Sequence, residues 1–411
     1  MRCPAPVING MSEETNKAKQ KFIRQGWSDL KKIFSTDGEK KKRRLQLVLI
    51  ICIVIVALFF LYRQVLEFHH YQIVASTEKN DSEAIDYASF GNLIVRYGND
   101  GVSAIASDNT TIWEETYEMD NPIIAVRNNY FAIADQKGKT IVILNKDGFC
   151  QQVSTDLPIQ KIDVSDTGSV AVLMQDEGSI SYLGLYSLSG KKTAEGTLHF
   201  GNSGYPLSLA ISEDGVNLAL SVLDIKDGQS KTSVNFYNFA KAPAEGKDNQ
   251  VASFSYDNTV IPEISYGTGT KLIAFGDDKV ISFQGGADPQ EKNVLELDKT
   301  VRSIVHSEDR IGLLYDQGDD GDGNTLVLYD YDGNEKRHYS VSGLYSSVGL
   351  MANGEVYLIQ DKKLAIYRKY GRIKYTGSAD TPFYTVISQG NGLRYLFVRE
   401  GKTEQARLSL F

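Results

Sequence analysis

The chain has 411 residues, with 44 Lys and Arg against 52 Asp and Glu, which gives a formal net charge of −8. Residues 1–44 hold 12 basic and five acidic residues, whereas the remainder holds 32 basic and 47 acidic residues. The acidic excess after residue 44 excludes nucleic acid as the natural ligand of that part of the chain. Of the three cysteines, Cys3, Cys52 and Cys150, only the last two lie in that part, which excludes a disulfide framework there.

The amino-terminal segment, residues 1–44, is predicted to be a basic tail with one amphipathic helix over residues 17–34. Its apolar residues recur at steps of three and four positions, with Lys and Arg between them. They are Phe22, Ile23, Trp27, Leu30, Ile33 and Phe34. Such a helix either lies on the inner membrane surface or binds a cytoplasmic partner; a weakly ordered stalk with a chance pattern is the alternative.

Residues 45–61, LQLVLIICIVIVALFFL, form an uncharged apolar run directly after five consecutive basic residues. With Tyr62 this run approaches the roughly 20 residues that a membrane-spanning helix needs. A buried helix of a soluble protein and a cleavable signal peptide are the alternatives. The length of the run and of the basic segment before it favours a retained signal-anchor. We predict a transmembrane helix over residues 45–62.

The position of the basic residues predicts the orientation of this helix. Lys40–Arg44 precede the run, and only Arg63 follows it closely. Because positive residues stay in the cytoplasm, the amino terminus is expected inside and the rest of the chain outside the cytoplasmic membrane, which is a type II topology. Residues 63–70 are then a stalk, and residues 71–411 form an extracytoplasmic domain.

The extracytoplasmic part reads as a repeat of short β-strands. Apolar runs rich in Val, Ile, Tyr and Leu alternate with turn residues, in phrases such as Ile159–Met174, Leu207–Leu223 and Ile261–Gly276. Eight such copies divide residues 71–411 into units of about 43 residues, the length of a four-stranded propeller blade. The predicted fold is an all-β, eight-bladed β-propeller, with seven blades as the alternative.

The last copy, residues 383–411, has room for only three strands. We predict that Tyr71–Ser76 supplies the missing strand, because pairing both ends of the chain in one blade removes the exposed sheet edges.

Two turn phrases, Val164–Gly168 and Ile211–Gly215, resemble those of WD-repeat and related bacterial propellers. The plan of basic tail, single span and divergent propeller is similar to an uncharacterised family of bacterial single-pass membrane-anchored proteins. This resemblance implies the fold and no catalytic residues.

A candidate ligand face follows from the lengths of the loops between second and third strands. The loops at Gln175–Ser179, Asp224–Lys231 and Asp316–Asn324 are long and acidic, and a propeller places them on one face. Their acidic residues are Asp176, Glu177, Asp224, Asp227, Asp316, Asp319, Asp320 and Asp322. Ordinary tolerance of insertions at loop tips is the alternative. Asp320, Asp322 and Asn324 have the spacing of calcium ligands, with a glycine-rich hairpin turn as the alternative.

No enzyme signature stands out in the sequence. The five histidines, His69, His70, His199, His306 and His338, lack metal-ligand spacing, and the chain contains no Gly-x-Ser-x-Gly. We predict no cofactor and no catalytic residue. A binding or scaffolding propeller for an extracytoplasmic protein or an envelope polymer is the first interpretation. A sensor linking an outer ligand to a cytoplasmic partner and a cell-envelope hydrolase are the alternatives.

Overall fold

The computed structural model describes residues 45–55, 62, 65–78, 85–91, 93–106, 110–176, 180–199, 204–240, 249–307, 309–316, 323–342, 345, 347–351, 353–390 and 392–410. At positions 197–199, 316, 323 and 342 it describes the backbone only. The predicted basic tail and its helix over residues 17–34 lie outside the described residues.

The chain divides into two compact units, Met1–Leu66 and Glu67–Phe411. In the first unit, residues 45–55 are helical, and their apolar side chains are exposed, Leu49 by 62%. Among the described residues, no helix combines the length and apolar character that crossing a membrane requires. Residues 56–61 of the predicted span lie outside the described part.

The second unit consists of eight antiparallel four-stranded sheets, so the prediction of eight blades is confirmed and seven is wrong. The first four blades are Ile85–Phe90, Leu93–Gly98, Gly101–Ile105 and Thr111–Thr116 (blade 1, β2–β5); Pro122–Val126, Tyr130–Asp135, Thr140–Asn145 and Gly148–Ser154 (blade 2, β6–β9); Ile159–Val164, Val170–Gln175, Ile180–Tyr186 and Lys192–His199 (blade 3, β10–β13); Tyr205–Ile211, Asn217–Lys226, Gln229–Asn238 and Gln250–Asp257 (blade 4, β14–β17).

The remaining blades have the same strand order. They are Glu263–Tyr266, Lys271–Phe275, Lys279–Gln284 and Gln290–Glu296 (blade 5, β18–β21); Val301–His306, Ile311–Asp316, Gly323–Tyr329 and Glu335–Ser342 (blade 6, β22–β25); Ser347–Leu350, Val356–Gln360, Lys363–Tyr367 and Ile373–Ser378 (blade 7, β26–β29); Phe383–Ser388, Arg394–Arg399, Lys402–Ser409 and, from the start of the chain, His70–Glu78 (blade 8, β30–β32 and β1).

Blade 8 joins the two ends of the domain, as the sequence predicted. Strand β1 pairs with β32 from His70 opposite Ser409 to Glu78 opposite Lys402, with a bulge between Ile73 and Ala75. The closing strand is therefore three residues longer than the predicted Tyr71–Ser76. Because β1 covers the free edge of β32, the described sheets form a ring without a gap between its first and last blades.

Pairing begins before β1, inside the predicted stalk. The Phe68 amide donates to the Lys374 carbonyl at 2.8 Å, and the Thr376 amide donates to the Phe68 carbonyl at 3.1 Å. Phe68 is buried and forms an isolated parallel β-bridge with Tyr375 of β29, the outer strand of blade 7. The start of the domain is thus attached to two adjacent blades.

The core is divided into layers between blades. The middle strands are covered on both faces, so β11 reads as a continuous apolar run with five of its six residues buried. The turns between strands are tight: Gly168 and Gly215 close the two predicted turn phrases with φ of +77° and +74°.

The alternation of strand direction defines two faces. We call upper the face with the loops between second and third strands and between blades, and lower the face with the remaining loops. On the lower face, neighbouring loops are hydrogen bonded: the Asn129 amide donates to the Asp166 carboxylate at 3.2 Å. The Gly269 amide donates to Glu213 at 2.9 Å. These bonds tie blades 2 and 3, and blades 4 and 5, to one another.

Candidate functional site

A cavity of about 470 Å³ lies against the first strands of blades 2–6, around the axis of the ring. Apolar side chains supply part of its wall, and several polar ones converge on it. The polar residues of the lining are Arg127, Asp163, Ser208, Glu263, Ser265, His306 and Ser307. An apolar cavity with a few convergent polar groups is the usual form of a ligand site.

Arg127 closes the lower end of this cavity. It follows directly after β6, and its guanidinium donates to three backbone carbonyls, those of Val164 at 3.3 Å, Tyr266 at 2.7 Å and Ile211 at 3.0 Å. Each acceptor is the last residue of a first strand, in blades 3, 5 and 4 respectively. One side chain of blade 2 therefore binds the ends of three other blades.

Asp163 is the carboxylate beside this guanidinium. Its Oδ2 lies 3.8 Å from Arg127 Nη2 and accepts the Ile211 amide at 2.8 Å, while Oδ1 accepts the Val164 amide at 2.9 Å. Burial raises the pKa of Asp163, although Arg127 and the two amides favour its charged form. Its hydrogen bonds position the carboxylate as a fixed part of the cavity wall.

Ser265, His306 and Glu263 form a hydrogen-bonded chain on the wall of the cavity. His306 Nε2 lies 3.0 Å from Glu263 Oε1, and Nδ1 lies 3.3 Å from Ser265 Oγ. Because a carboxylate only accepts, a neutral His306 donates from Nε2 and accepts the Ser265 hydroxyl proton at Nδ1. The hydrogen bond from His306 holds the pKa of Glu263 below its usual value. The chain can therefore accept a proton from Ser265.

The acidic ligand face stays a prediction, because the structure describes the side chains of only three of its eight acidic residues, Asp176, Asp224 and Asp227. Asp224 and Asp227 belong to a hairpin in which Asp224 pairs with Lys231 and Lys226 with Gln229, so the interpretation of residues 224–231 as a long loop is wrong. The Asp224 carboxylate lies 2.7 Å from Lys226 Nζ. Asp176 is half-buried and directly follows β11. Asp316 is described by its backbone only, and Glu177, Asp319, Asp320 and Asp322 lie outside the described residues.

The proposed calcium ligands are similarly divided. Asn324 is buried in β24, where it pairs with Asp316, while Asp320 and Asp322 lie outside the described residues. In the part of the chain that the structure describes, no group of three or more His, Cys, Asp and Glu side chains is arranged to hold a metal ion.

A separate polar cluster, which is buried, joins blades 7 and 8. Lys374 Nζ contacts the Glu355 carboxylate and lies 2.5 Å from the Tyr395 hydroxyl, which donates to Glu355 Oε2 at 2.5 Å. All three residues are buried. Burial and the Glu355 charge raise the pKa of Tyr395, so its hydroxyl stays protonated. Because the charges of Lys374 and Glu355 compensate each other, we interpret this cluster as a structural contact between blades 7 and 8.

Replacing Lys374 with Met should lower the free energy of unfolding by about 3–5 kcal/mol, because the buried Glu355 loses its counter-charge. Lys363→Met is the matched control, since Lys363 is exposed in the neighbouring strand β28. Urea denaturation measures both variants. Adding Glu355→Leu to Lys374→Met should recover part of the loss; no recovery would show that the carboxylate is not the source of the cost.

Solved structures of similar shape are known. The Saccharomyces cerevisiae protein Sqt1 is 10% identical, with a TM-score of 0.53 over 84% of this chain and 100% of that one. The C-terminal WD40 domain of Sif2 is 11% identical, with a TM-score of 0.51 over 84% and 99%. Citrobacter koseri AztD is 14% identical, with a TM-score of 0.51 over 74% and 88%. At such identities the likeness shows the fold alone, and confirms the predicted resemblance to WD-repeat propellers at that level.

No curated protein matches the chain by sequence. A family model does match, over residues 63–408, which is most of the chain and all of the ring of blades except the last residue of β32. The chain therefore belongs to the family of unknown function DUF5711.

Proposed function

We propose that this protein is a membrane-anchored binding or scaffolding propeller, which faces the outside of the cytoplasmic membrane and receives its ligand in the central cavity. The observation that carries the proposal is the convergence of Asp163, Ser208, Glu263 and His306 on one cavity of about 470 Å³. Hydrogen-bonded side chains on a closed β-ring are held in place before a ligand arrives, which lowers the entropic cost of binding.

The ligand is proposed to reach the cavity from the upper face, because Arg127 occupies the lower end. A cavity of this volume accommodates a protruding side chain of a protein partner or one unit of an envelope polymer. Carboxylates, hydroxyls and an imidazole suit a ligand group that both donates and accepts hydrogen bonds. Apolar residues such as Ile124 and Ile162 would cover its non-polar part.

Photo-crosslinking in intact cells tests the binding role. A photoreactive phenylalanine derivative replaces Tyr205 or Tyr384, which are exposed near the upper ends of the first strands of blades 4 and 8. We expect a discrete adduct that is lost when Glu263→Gln is added. Phe149, exposed on the outer strand of blade 2, is the control position. The same adduct from Phe149, or one unaffected by Glu263→Gln, would argue against a ligand in the cavity.

Membrane orientation has a separate test. The apolar run over residues 45–62 after a basic tail supports the proposed type II topology. A membrane-impermeant lysine reagent should label Lys226, whose side chain is 71% exposed, in intact cells. Lys40–Lys42 of the tail should react only after lysis. The reverse pattern would overturn the orientation, and extraction of the protein by alkaline carbonate would overturn the anchor.

The Ser265–His306–Glu263 chain favours a hydrolase as the second candidate function. In that reaction, Ser265 Oγ would attack an acyl carbon as His306 Nδ1 takes its proton, and the leaving group would then receive that proton. Water would next attack the acyl-serine, with its proton passing through His306 Nδ1 back to Ser265 Oγ, and the acid would leave. A fluorophosphonate probe should label Ser265, and Ser265→Ala and His306→Gln should each abolish labelling. An unlabelled protein with unchanged melting behaviour would leave the binding role as the proposal.

A further inference from the structure

A cluster of exposed basic residues lies on the lower face where blades 6 and 7 meet. It contains Lys336 and Arg337 from the start of β25, together with Lys369, Tyr370 and Arg372 from the loop before β29. All five are exposed, and Tyr370 is 52% exposed. We call these five residues the rim patch.

The rim patch has a fixed geometry. The Arg337 guanidinium carbon lies 5.9 Å from the centre of the Tyr370 ring, and Lys369 Nζ lies 5.0 Å from it. The loop is closed by the Gly371 amide donating to the Arg368 carbonyl at 2.9 Å, and Gly371 has a φ of +94°. Cations from two blades are therefore gathered around one exposed aromatic ring.

Most of the charge of the rim patch is uncompensated. Lys336 is paired with Asp330 at 2.6 Å, and the adjacent His338 lies 3.4 Å from Glu335. Among the residues that the structure describes, Arg337, Lys369 and Arg372 form no ion pair with a carboxylate of this chain. Three positive charges remain on a domain with an excess of acidic residues, so this surface suits an anionic partner.

The rim patch adjoins the point where the chain joins the ring. Arg372 precedes Lys374 by two residues, and the Lys374 carbonyl accepts the amide of Phe68. Only residues 63–67 separate Phe68 from the end of the predicted membrane span. A segment of this length spans at most about 20 Å.

We propose that the rim patch binds anionic phospholipid headgroups of the membrane in which the chain is anchored. This inference depends on the anchor in the proposed function. Lys and Arg side chains gain affinity from an anionic surface within about a Debye length, and Tyr side chains favour the interface. Contact at this edge would direct the upper face and its cavity away from the membrane.

Lysine acylation of the full-length protein in nanodiscs tests the proposal. One set of discs contains phosphatidylglycerol mixed with phosphatidylcholine, and the other contains phosphatidylcholine alone. Mass spectrometry measures the acylation rate of Lys369, with Lys226 of blade 4 as the internal control. We expect Lys369 to react at least about fivefold more slowly in the anionic discs only, and the protection to disappear at about 1 M salt. Equal rates of Lys369 acylation in both discs would overturn the proposal.

Charge reversal provides the matched variants. Arg337→Glu and Arg372→Glu should each remove most of the protection of Lys369, whereas Arg407→Glu, at an exposed position on β32, should leave it unchanged. Equal melting temperatures of the three variants show that each is folded. Protection of Lys369 that survives both rim reversals would contradict the proposal.

The same samples distinguish failure of this lipid-binding proposal from failure of the proposed membrane anchor. If the protein co-elutes with both kinds of disc but Lys369 is not protected, the anchor is supported and the lipid-binding role of the rim patch is overturned. If the protein co-elutes only with anionic discs and Lys369 is protected, the lipid-binding role of the rim patch is supported and the anchor is overturned. Protection of Lys369 in cells but not in anionic discs would overturn the proposal of lipid binding and would indicate an anionic envelope polymer as the partner.

Discussion

Deleting residues 1–78 should prevent the ring from folding as a stable monomer, whereas deleting residues 1–66 should leave it folded. The longer deletion removes β1 and exposes the edge of β32 along the eight paired positions from Lys402 to Ser409. It also removes Tyr71, whose ring packs edge-on against Phe397 at 5.2 Å. With about 1 kcal/mol per lost hydrogen bond, the cost exceeds about 5 kcal/mol, which is comparable with the stability of a whole domain.

Size-exclusion chromatography and thermal melting by circular dichroism compare the two deletions. We expect the protein lacking residues 1–66 to elute as a monomer with a single cooperative transition. The protein lacking residues 1–78 should aggregate or melt far lower. A monomer that lacks β1 and melts within a few degrees of the shorter deletion would show that blade 8 holds the ring closed without its outer strand.

Replacing Arg127 with Met should lower the free energy of unfolding by about 3–5 kcal/mol. Met has a similar length but no donors, so the carbonyls of Val164, Ile211 and Tyr266 lose a shared partner. Asp163, whose side chain is 20% exposed, also loses its neighbouring cation. Arg127→Lys keeps the charge but lacks the planar guanidinium that donates to three carbonyls. Its free energy of unfolding should therefore fall by an intermediate amount.

Urea denaturation measures this loss, with Arg407→Met as the matched control, because Arg407 is exposed on β32. We expect the control to remain within about 0.5 kcal/mol of the parent protein. If Arg127→Met and Arg407→Met are equally stable, the guanidinium does not hold blades 3, 4 and 5 together.

The blades could be predicted from the sequence because each copy carries its own pattern of apolar runs and turns. The pairing of β1 with β32 could be predicted too, because a three-stranded last copy leaves an edge that only the start of the chain can cover. Both inferences rest on local patterns and on the demand that a sheet edge be paired.

The cavity could not be predicted because its polar residues come from different copies and meet only when the ring closes. A partial signal was present. Arg127 stands at the position that Ser165, Ser212 and Ser307 occupy after the first strands of blades 3, 4 and 6. A long cation in place of a small hydroxyl indicated a side chain that reaches across the ring.

The error over residues 224–231 has a physical reason. Polar residues in this stretch suggest a loop, but the strands of a hairpin that extends into solvent are also polar. The Asp227–Gly228 pair was the better signal, because two central residues with positive φ suit a two-residue hairpin turn. Their φ values are +52° and +79°.

The attachment of β1 has a consequence for proteolysis. A single cut between Glu78 and Ile85 severs the tail from the domain in covalent terms, yet β1 remains hydrogen bonded to β32 along its whole length. Separation of residues 1–78 from the rest of the chain after such a cut would then be governed by the rate at which β1 dissociates from β32, and not by the protease.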